Sequence, residues 1–376
     1  MTDLLSSVFM AGASALIASA VGVGLLRRGR RLQLLDLPNE RSLHMQPTPK
    51  GGGLLIALSI VTALLVASPA RGIAPSEAAW ILAGATFSVA LLSLWDDFHA
   101  LTWPVRLVLQ AAAATLTVAF IGYPTALPTP EGSLELGAFA IPLALFWVVG
   151  LTNAYNFMDG IDGIAAVQAL VAGVGWAIIG IFAGLPNVAV LGGVIAGASA
   201  GFLLHNWSPA KIFMGDVGSI TLGFTFAVTT VLAATRDARL FVAGVMLLWP
   251  FVFDAGFTLC RRLLNGEHVF KAHRSHLYQR LVIAGLSHAT VATIYALLGL
   301  VGVVAATLTA IATAGIALAA IVTITASAIG LWLVVTWVER GSLTRQDWPA
   351  SVSEGLPLAA EPDTLRNESP ARRGTK

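Results

Sequence analysis

Long uncharged apolar runs alternate with short polar segments along the chain as far as about residue 338. The runs fall near 8–26, 53–70, 78–95, 105–122, 137–152, 164–183, 187–204, 218–235, 239–259, 288–310 and 314–338. A helix needs about 18 to 25 apolar residues to cross a bilayer. The pattern therefore predicts an all-α polytopic integral membrane protein with about eleven transmembrane helices. Pro250 interrupts the ninth run and is expected to kink its helix. From about residue 345 the chain turns rich in Pro, Ser, Glu and Arg without apolar periodicity. A multi-span catalytic domain over 1–338, followed by a disordered cytoplasmic tail over 339–376, is the expected organisation.

Charge adds orientation to this picture. The first run is followed, not preceded, by Arg27, Arg28, Arg30 and Arg31, so it reads as an anchor with its N-terminus outside instead of a cleaved signal peptide. Counting the eleven runs from there puts 19 of the 22 Lys and Arg in inner connections or the tail. Only Arg71, Arg236 and Arg239 fall outside. That positive-inside bias predicts a periplasmic N-terminus and a cytoplasmic C-terminus. The composition agrees: 56% of residues are hydrophobic and 11% charged, with mean hydropathy +0.80. The net charge of +2 does not point to nucleic acid, because the basic residues are used by topology. The single cysteine, Cys260, allows no intrachain disulfide and no cysteine-based zinc site.

The polar segments supply the chemistry. DLPNERSLHMQPTPKGGG (36–53), WDDFHALTW (95–103), NAYNFMDGIDG (153–163), HNWSPAKIFMGDVGS (205–219) and CRRLLNGEHVFKAHRSHLYQRL (260–281) all map to inner helix ends. Caps without function would scatter over both faces, whereas one site built from loops needs them on one. Asp96, Asp97, Asp159, Asp162 and Asp216 are carboxylates beside spans, a costly place for unpaired charge. Acids sharing a site repel unless a cation neutralises them, and a thiolate-free carboxylate set suits a hard cation such as Mg²⁺. Lys50, Lys211, His273, Arg274 and His276 are bases suited to phosphate, and glycines at 51–53, 160, 163, 215 and 218 leave room for a ligand near the backbone. Each feature also has a plain structural explanation. Asp216 could cap the following helix, Asp96–Asp97 could be a solvated helix end, and the glycines could be turns. Asp254, inside the ninth run, is a candidate functional charge, with Arg262 as its structural partner in the alternative.

In order, DxPNxRSxHxxPTPKGGG, the Asp96–Asp97 pair, NxxNFMDGIDG, NWxPAKIFMGDVGS and AHRSHLYQRL resemble the signature blocks of the polyprenyl-phosphate N-acetylhexosamine-1-phosphate transferases. That superfamily includes the phospho-MurNAc-pentapeptide translocase and the GlcNAc-1-phosphate transferases. The resemblance implies an active site on cytoplasmic loops of a bacterial inner-membrane protein. There undecaprenyl phosphate would attack a UDP-N-acetylamino sugar, releasing UMP, with Mg²⁺ as cofactor and Mn²⁺ as a substitute. It implies a catalytic group of Asp96, Asp97, Asp159 and Asp216, with the metal on Asp216. Substrate binding falls to Lys50, Asn153, Asn156, Asp162, Asn206, Lys211, Phe213, His273, Arg274 and His276, with Asp162 toward uracil and Phe213 placed to stack on it. A homodimer is implied by the translocase relatives alone. The basic loop AHRSHLYQRL lacks the translocase's run of three histidines and looks more like enzymes that initiate O-antigen or related polysaccharides. A secondary transporter of an anionic sugar or nucleotide is the rival reading, but it would place its acids near the bilayer midplane.

Overall fold

The computed structural model describes residues 1–28, 34–36, 47–66, 77–99, 101–129, 132–268, 273–311 and 314–343. Thirteen helices account for most of them. Each apolar run carries one: α1 (Thr2–Arg28), α2 (Leu54–Val66), α3 (Glu77–His99), α4 (Trp103–Ile121), α5 (Ala140–Phe157), α6 (Ile164–Phe182), α7 (Pro186–Asn206), α8 (Asp216–Ala234), α9 with α10 (Arg239–Leu247 and Trp249–Leu264), α12 (His288–Ile311) and α13 (Ala314–Leu343). The short α11 (Leu277–Ile283) stands between α10 and α12. Two antiparallel pairs complete the structure, β1 (Leu34–Asp36) with β2 (Thr48–Lys50) and the hairpin of β3 (Ala126–Thr129) with β4 (Gly132–Glu135).

The chain is thus a multi-pass helical membrane protein, and most of the roughly eleven expected spans are met within the described residues. Nine of the described helices are long and apolar enough to cross a membrane. The second run yields a helix of 13 residues within the described chain, and the ninth is not one rod. Its two helices meet at Leu248 and bend by 79°, which raises the count of spans to ten if the pair is one crossing. The cause is Pro250, in the first turn of α10, which cannot continue the hydrogen-bond ladder of α9. Several sequence expectations lie outside the described residues: 37–46 of the first polar block, Arg30, Arg31, Arg71, Ala272, and the tail from 344 onward.

The interior is built on α8, nearly all of whose residues are buried and which packs on α5 and α3, and on the α6–α7 pair, which is largely buried too. Small residues set the packing distance, as is usual where no water drives helices together. On α7 a Cβ added to Gly197 would lie 1.9 Å from the Gly12 carbonyl oxygen of α1, so these two backbones touch only because that side chain is absent. The outermost helices show leucines, valines and aromatic residues to their surroundings, among them Phe9, Trp80 and Trp337. Within a bilayer that surface meets lipid tails.

Candidate functional site

One cavity of about 1200 Å³ collects the polar segments. Its walls come from the C-terminal ends of α3, α5, α7 and α10, the N-terminal ends of α4, α8 and α12, and the loops at 158–163 and 213–216. Lys50, Asp97, Asn153, Asn156, Asp159, Asp162, Asn206, Phe213, Asp216, His273 and His276 all line it. Three of the expected residues do not. Lys211 and Arg274 are exposed elsewhere. Asp96 is buried on the far side of Arg106, where its Oδ1 accepts the Leu101 backbone N–H at 2.6 Å and its Oδ2 lies 2.9 Å from Arg106 Nε. Adjacent helical residues diverge by about 100°, so of the acidic pair only Asp97 reaches the cavity.

Asp97 also does structural work. Its two oxygens accept the backbone N–H groups of Asp216 (3.2 Å) and Val217 (3.0 Å), the first of α8, and Lys50 pairs with it at 3.1 Å. A helix begins with N–H groups that have no partner inside it, and here a carboxylate from α3 caps α8 and ties the two helices together. Capping was the plain structural alternative for Asp216, but Asp216 is the first residue of α8 and its side chain lines the cavity. Asn156 donates to its Oδ1 at 2.9 Å and Arg106 to its Oδ2 at 3.0 Å. Asn156 also donates to Ser219, and Asn153 to Gln110 at 2.6 Å, so both amides of α5 are locked onto neighbouring helices.

The second half of NAYNFMDGIDG separates two acids by environment. Burial raises the pKa of Asp159 to about 7, and the negative charges of Asp216, Asp97 and Asp36 push the same way. Among the described residues its carboxylate takes no hydrogen bond and no ion pair. Burial also works against the charge of Asp162. It is outweighed by hydrogen bonds from His288, the Ala210 backbone and Ser208, which hold its pKa below the usual range. Asn206 braces this loop, accepting the Gly163 N–H at 3.0 Å and donating to the Ile212 carbonyl at 2.9 Å.

The glycines expected to make room for a ligand mostly make room for protein. A Cβ on Gly160 would stand 2.0 Å from the hydroxyl of Tyr278, which donates to the Phe157 carbonyl at 3.1 Å and so pins α11 against the end of α5. A Cβ on Gly53 would stand 2.4 Å from the Gly218 Cα. Asp254 does not pair with Arg262, whose guanidinium is held by Glu267 (2.9 Å) and the His268 carbonyl (2.7 Å). The fully buried Asp254 faces α11 and α12 instead.

Residues that sequence reasoning passed over complete the site. Arg106 bridges Asp96 and Asp216, and Gln110, one turn on, supports Asn153. Their spacing of four on an otherwise apolar helix was the available signal. His288, at the start of α12, lies 3.4 Å from Asp162. The apolar wall was missed as well. Trp103 and Leu107 of α4, Phe146 and Val149 of α5, and Leu259 and Leu263 of α10 line the same cavity. Trp103, Phe146, Leu259 and Leu263 are largely exposed, so the cavity opens sideways onto the apolar outer surface. Beyond the bend, α10 turns Asp254, Thr258 and Arg262 inward and its leucines outward.

Among the described residues no three of His, Cys, Asp and Glu are grouped as a protein-only metal cage. A hard cation that binds through one carboxylate and substrate phosphates needs no such cage. Asp216 offers the carboxylate, and the negative charges of Asp216, Asp97 and Asp36, which add to the effect of burial at Asp159, are the electrostatic complement of a cation.

Comparison with known proteins converges on one group. The profile of glycosyl transferase family 4 matches residues 79–234. The chain is 31% identical over 276 residues to a probable undecaprenyl-phosphate N-acetylglucosaminyl 1-phosphate transferase of Bacillus subtilis, covering 72% of this chain and 76% of the relative. It is 33% identical over 324 residues to a decaprenyl-phosphate N-acetylglucosaminephosphotransferase of Mycobacterium tuberculosis, covering 77% and 79%. It is 30% identical over 319 residues to the phospho-N-acetylmuramoyl-pentapeptide-transferase of Oceanobacillus iheyensis, covering 80% and 95%.

Proposed function

Because the chain belongs to the polyprenyl-phosphate N-acetylhexosamine-1-phosphate transferases of glycosyl transferase family 4, we propose that it moves an N-acetylamino sugar-1-phosphate from a UDP-sugar onto undecaprenyl phosphate. UMP leaves, and the lipid-diphosphate-sugar starts a bacterial cell-envelope polysaccharide, O-antigen or a related polymer. The observation that carries this reading is the two-sided cavity, with acids, amides and bases at one end and an apolar wall open to the membrane at the other. A water-soluble nucleotide and a lipid phosphate can meet only in such a place. In this reading the polar end lies at the cytoplasmic face of the inner membrane, and the protein can act as a homodimer.

The roles follow from the contacts. The acceptor's isoprenoid lies along α4, α5 and α10, which brings its phosphate to Lys50 and Arg106. A phosphate monoester has a second pKa near 6 and is largely dianionic at neutral pH. Electrostatic placement therefore does more here than base catalysis. An acceptor oxygen attacks the β-phosphorus of the donor, the bond from that phosphorus to the bridging oxygen breaks, and the electron pair leaves with UMP. Such a transfer depends on positioning and charge neutralisation. Asn156 holds Asp216 in place, His273 and His276 face the diphosphate, and Asp162, kept ionised, accepts the uracil imide N–H beside Phe213. Asp97 keeps α8 registered against α3, and Asp96 holds Arg106. Asp216 would hold Mg²⁺, or Mn²⁺ in its place, which supplies neutralisation of the diphosphate's charge.

The test is a donor panel. Membranes containing the protein, given radiolabelled UDP-GlcNAc, UDP-N-acetylfucosamine or UDP-N-acetylquinovosamine with Mg²⁺ and undecaprenyl phosphate, should yield labelled lipid and free UMP with at least one donor. Folded protein that releases UMP with none of them refutes the transferase reading. Facilitated entry of the label into vesicles without lipid product would favour a transporter.

Acid–base linkage gives a second expectation. A carboxyl with its pKa near 7 is protonated below that pH, and a cation binding beside it must displace the proton. The pH window therefore lies around 7. Affinity for Mn²⁺, followed by its paramagnetic resonance without substrates, should fall about tenfold from pH 8 to pH 6 and be nearly flat above 8. In Asp159→Asn the slope should disappear. An affinity equal at both pH values in the unaltered protein would place the cation elsewhere.

A further inference from the structure

Asp254 is fully buried in α10, six residues from the bend, and the reaction described above gives it no role. Five groups converge on its carboxylate. Oδ1 accepts the Leu277 backbone N–H at 2.8 Å and the Thr258 hydroxyl at 3.2 Å, with His276 Nδ1 at 3.3 Å. Oδ2 accepts the Tyr278 backbone N–H at 3.0 Å and the Tyr295 hydroxyl at 2.6 Å. The donors belong to α10, to α12 and to the start of α11. The carboxylate therefore caps α11 and ties the basic loop that precedes it to two membrane helices.

The same geometry fixes a histidine. His276 Nδ1 faces a carboxylate oxygen that already accepts two other donors. An unprotonated Nδ1 would set lone pair against lone pair, so the proton sits on Nδ1. A ring held at one nitrogen by a buried carboxylate has its orientation and its tautomer set together. Nε2 is the nitrogen left for the cavity that His276 lines. The His276 backbone N–H is held as well, donating to the Gln279 side chain at 3.2 Å.

We propose that Asp254 is a positioning residue that holds His276 by its Nδ1–H and aims Nε2 at the donor's diphosphate, to which Nε2 donates once the ring carries a second proton. This rests on the transferase reading, which gives His276 its substrate. Asp254 touches no substrate itself and acts through the imidazole. Partners that orient a working histidine in this way are typically worth 10- to 100-fold.

The experiment is a double-mutant cycle on the full chain, read as UMP release. Asp254→Asn should lower kcat by about 10- to 100-fold while the KM for the UDP-sugar stays within about twofold. Added to His276→Ala, it should cost nothing further. Tyr295→Phe removes one donor from Oδ2 without touching the imidazole and should keep nearly full kcat. Additive losses, or a Tyr295→Phe loss equal to that of Asp254→Asn, would make Asp254 a structural tie only. Should Asp254→Asn fail to insert, the unaltered chain still decides. With ¹⁵N-labelled histidine, the signal that disappears in His276→Ala must be that of a ring protonated at Nδ1, and a ring protonated at Nε2 alone overturns the proposal. Absence of UMP release by the unaltered protein would instead remove the transferase reading and leave the tautomer result standing.

Discussion

Asp216→Asn should reduce UMP release by about 10²- to 10³-fold, the loss typical when one electrostatic stabiliser of a transferring group is removed, while the protein remains inserted and folded. The side chain opens α8 and is held by Asn156 on one oxygen and Arg106 on the other. Replacement by an amide keeps the volume but removes the charge, and it can leave an NH₂ facing a donor. The structural cost is small. A carboxylate in the first turn of a helix contributes about 0.3 to 1 kcal/mol, and Asp97 still caps the helix through the N–H groups of Asp216 and Val217. Asn156→Ala, which removes the orienting donor but leaves the carboxylate, should lose about 10- to 100-fold. The ordering matters as much as the size. If Asp216→Asn keeps more than a tenth of the activity, or if Asn156→Ala is the worse of the two, the cation belongs to another carboxylate.

What the chain shows in one dimension and what it hides can be traced to particular residues. The apolar runs were legible because a run of some twenty uncharged residues has few alternatives to a membrane helix. The ninth run was legible as apolar and as kinked at Pro250, but not as two helices bent by 79°. Proline breaks a hydrogen-bond ladder, while the angle is decided by what α10 packs against. The polar blocks were legible as one site, and the cavity gathers most of them. Direction was not. Asp96 and Asp97 are neighbours in sequence, yet one is tied to Arg106 behind the wall and the other caps α8. Lys211 and Arg274 share loops with lining residues but are exposed and do not line the cavity. Gly160 read as space for a diphosphate, and the space belongs to Tyr278, 118 positions along the chain. Arg106 and Gln110 escaped notice because a lone base after a helix start looks like a topological charge. Asp254 looked unpaired because its partners are mostly backbone N–H groups and hydroxyls, which leave no charge pattern in a sequence.

The largest effect on the lipid side should come from α10. Leu259 and Leu263 lie one turn apart on its outward face, both line the cavity, and both are about half exposed, at 48% and 58%. The paired change Leu259→Asp with Leu263→Asp would set two carboxylates where the isoprenoid is expected to lie. A charge at the bilayer centre costs about 2.5 to 3.5 kcal/mol and less toward the interface. A loss near 2.7 kcal/mol in acceptor binding corresponds to about a 100-fold rise in KM for undecaprenyl phosphate. The KM for the UDP-sugar should not move, because the nucleotide's contacts lie at the other end of the cavity, and that constancy reports that the variant is folded. Chain length supplies the decisive comparison. An acceptor with a prenyl chain too short to reach α10 binds poorly to the unaltered protein, and it should bind almost equally poorly to the variant. If the variant's penalty were the same for long and short acceptors, the apolar wall would not be the path of the lipid. The lateral opening between α4, α5 and α10 would then need another occupant.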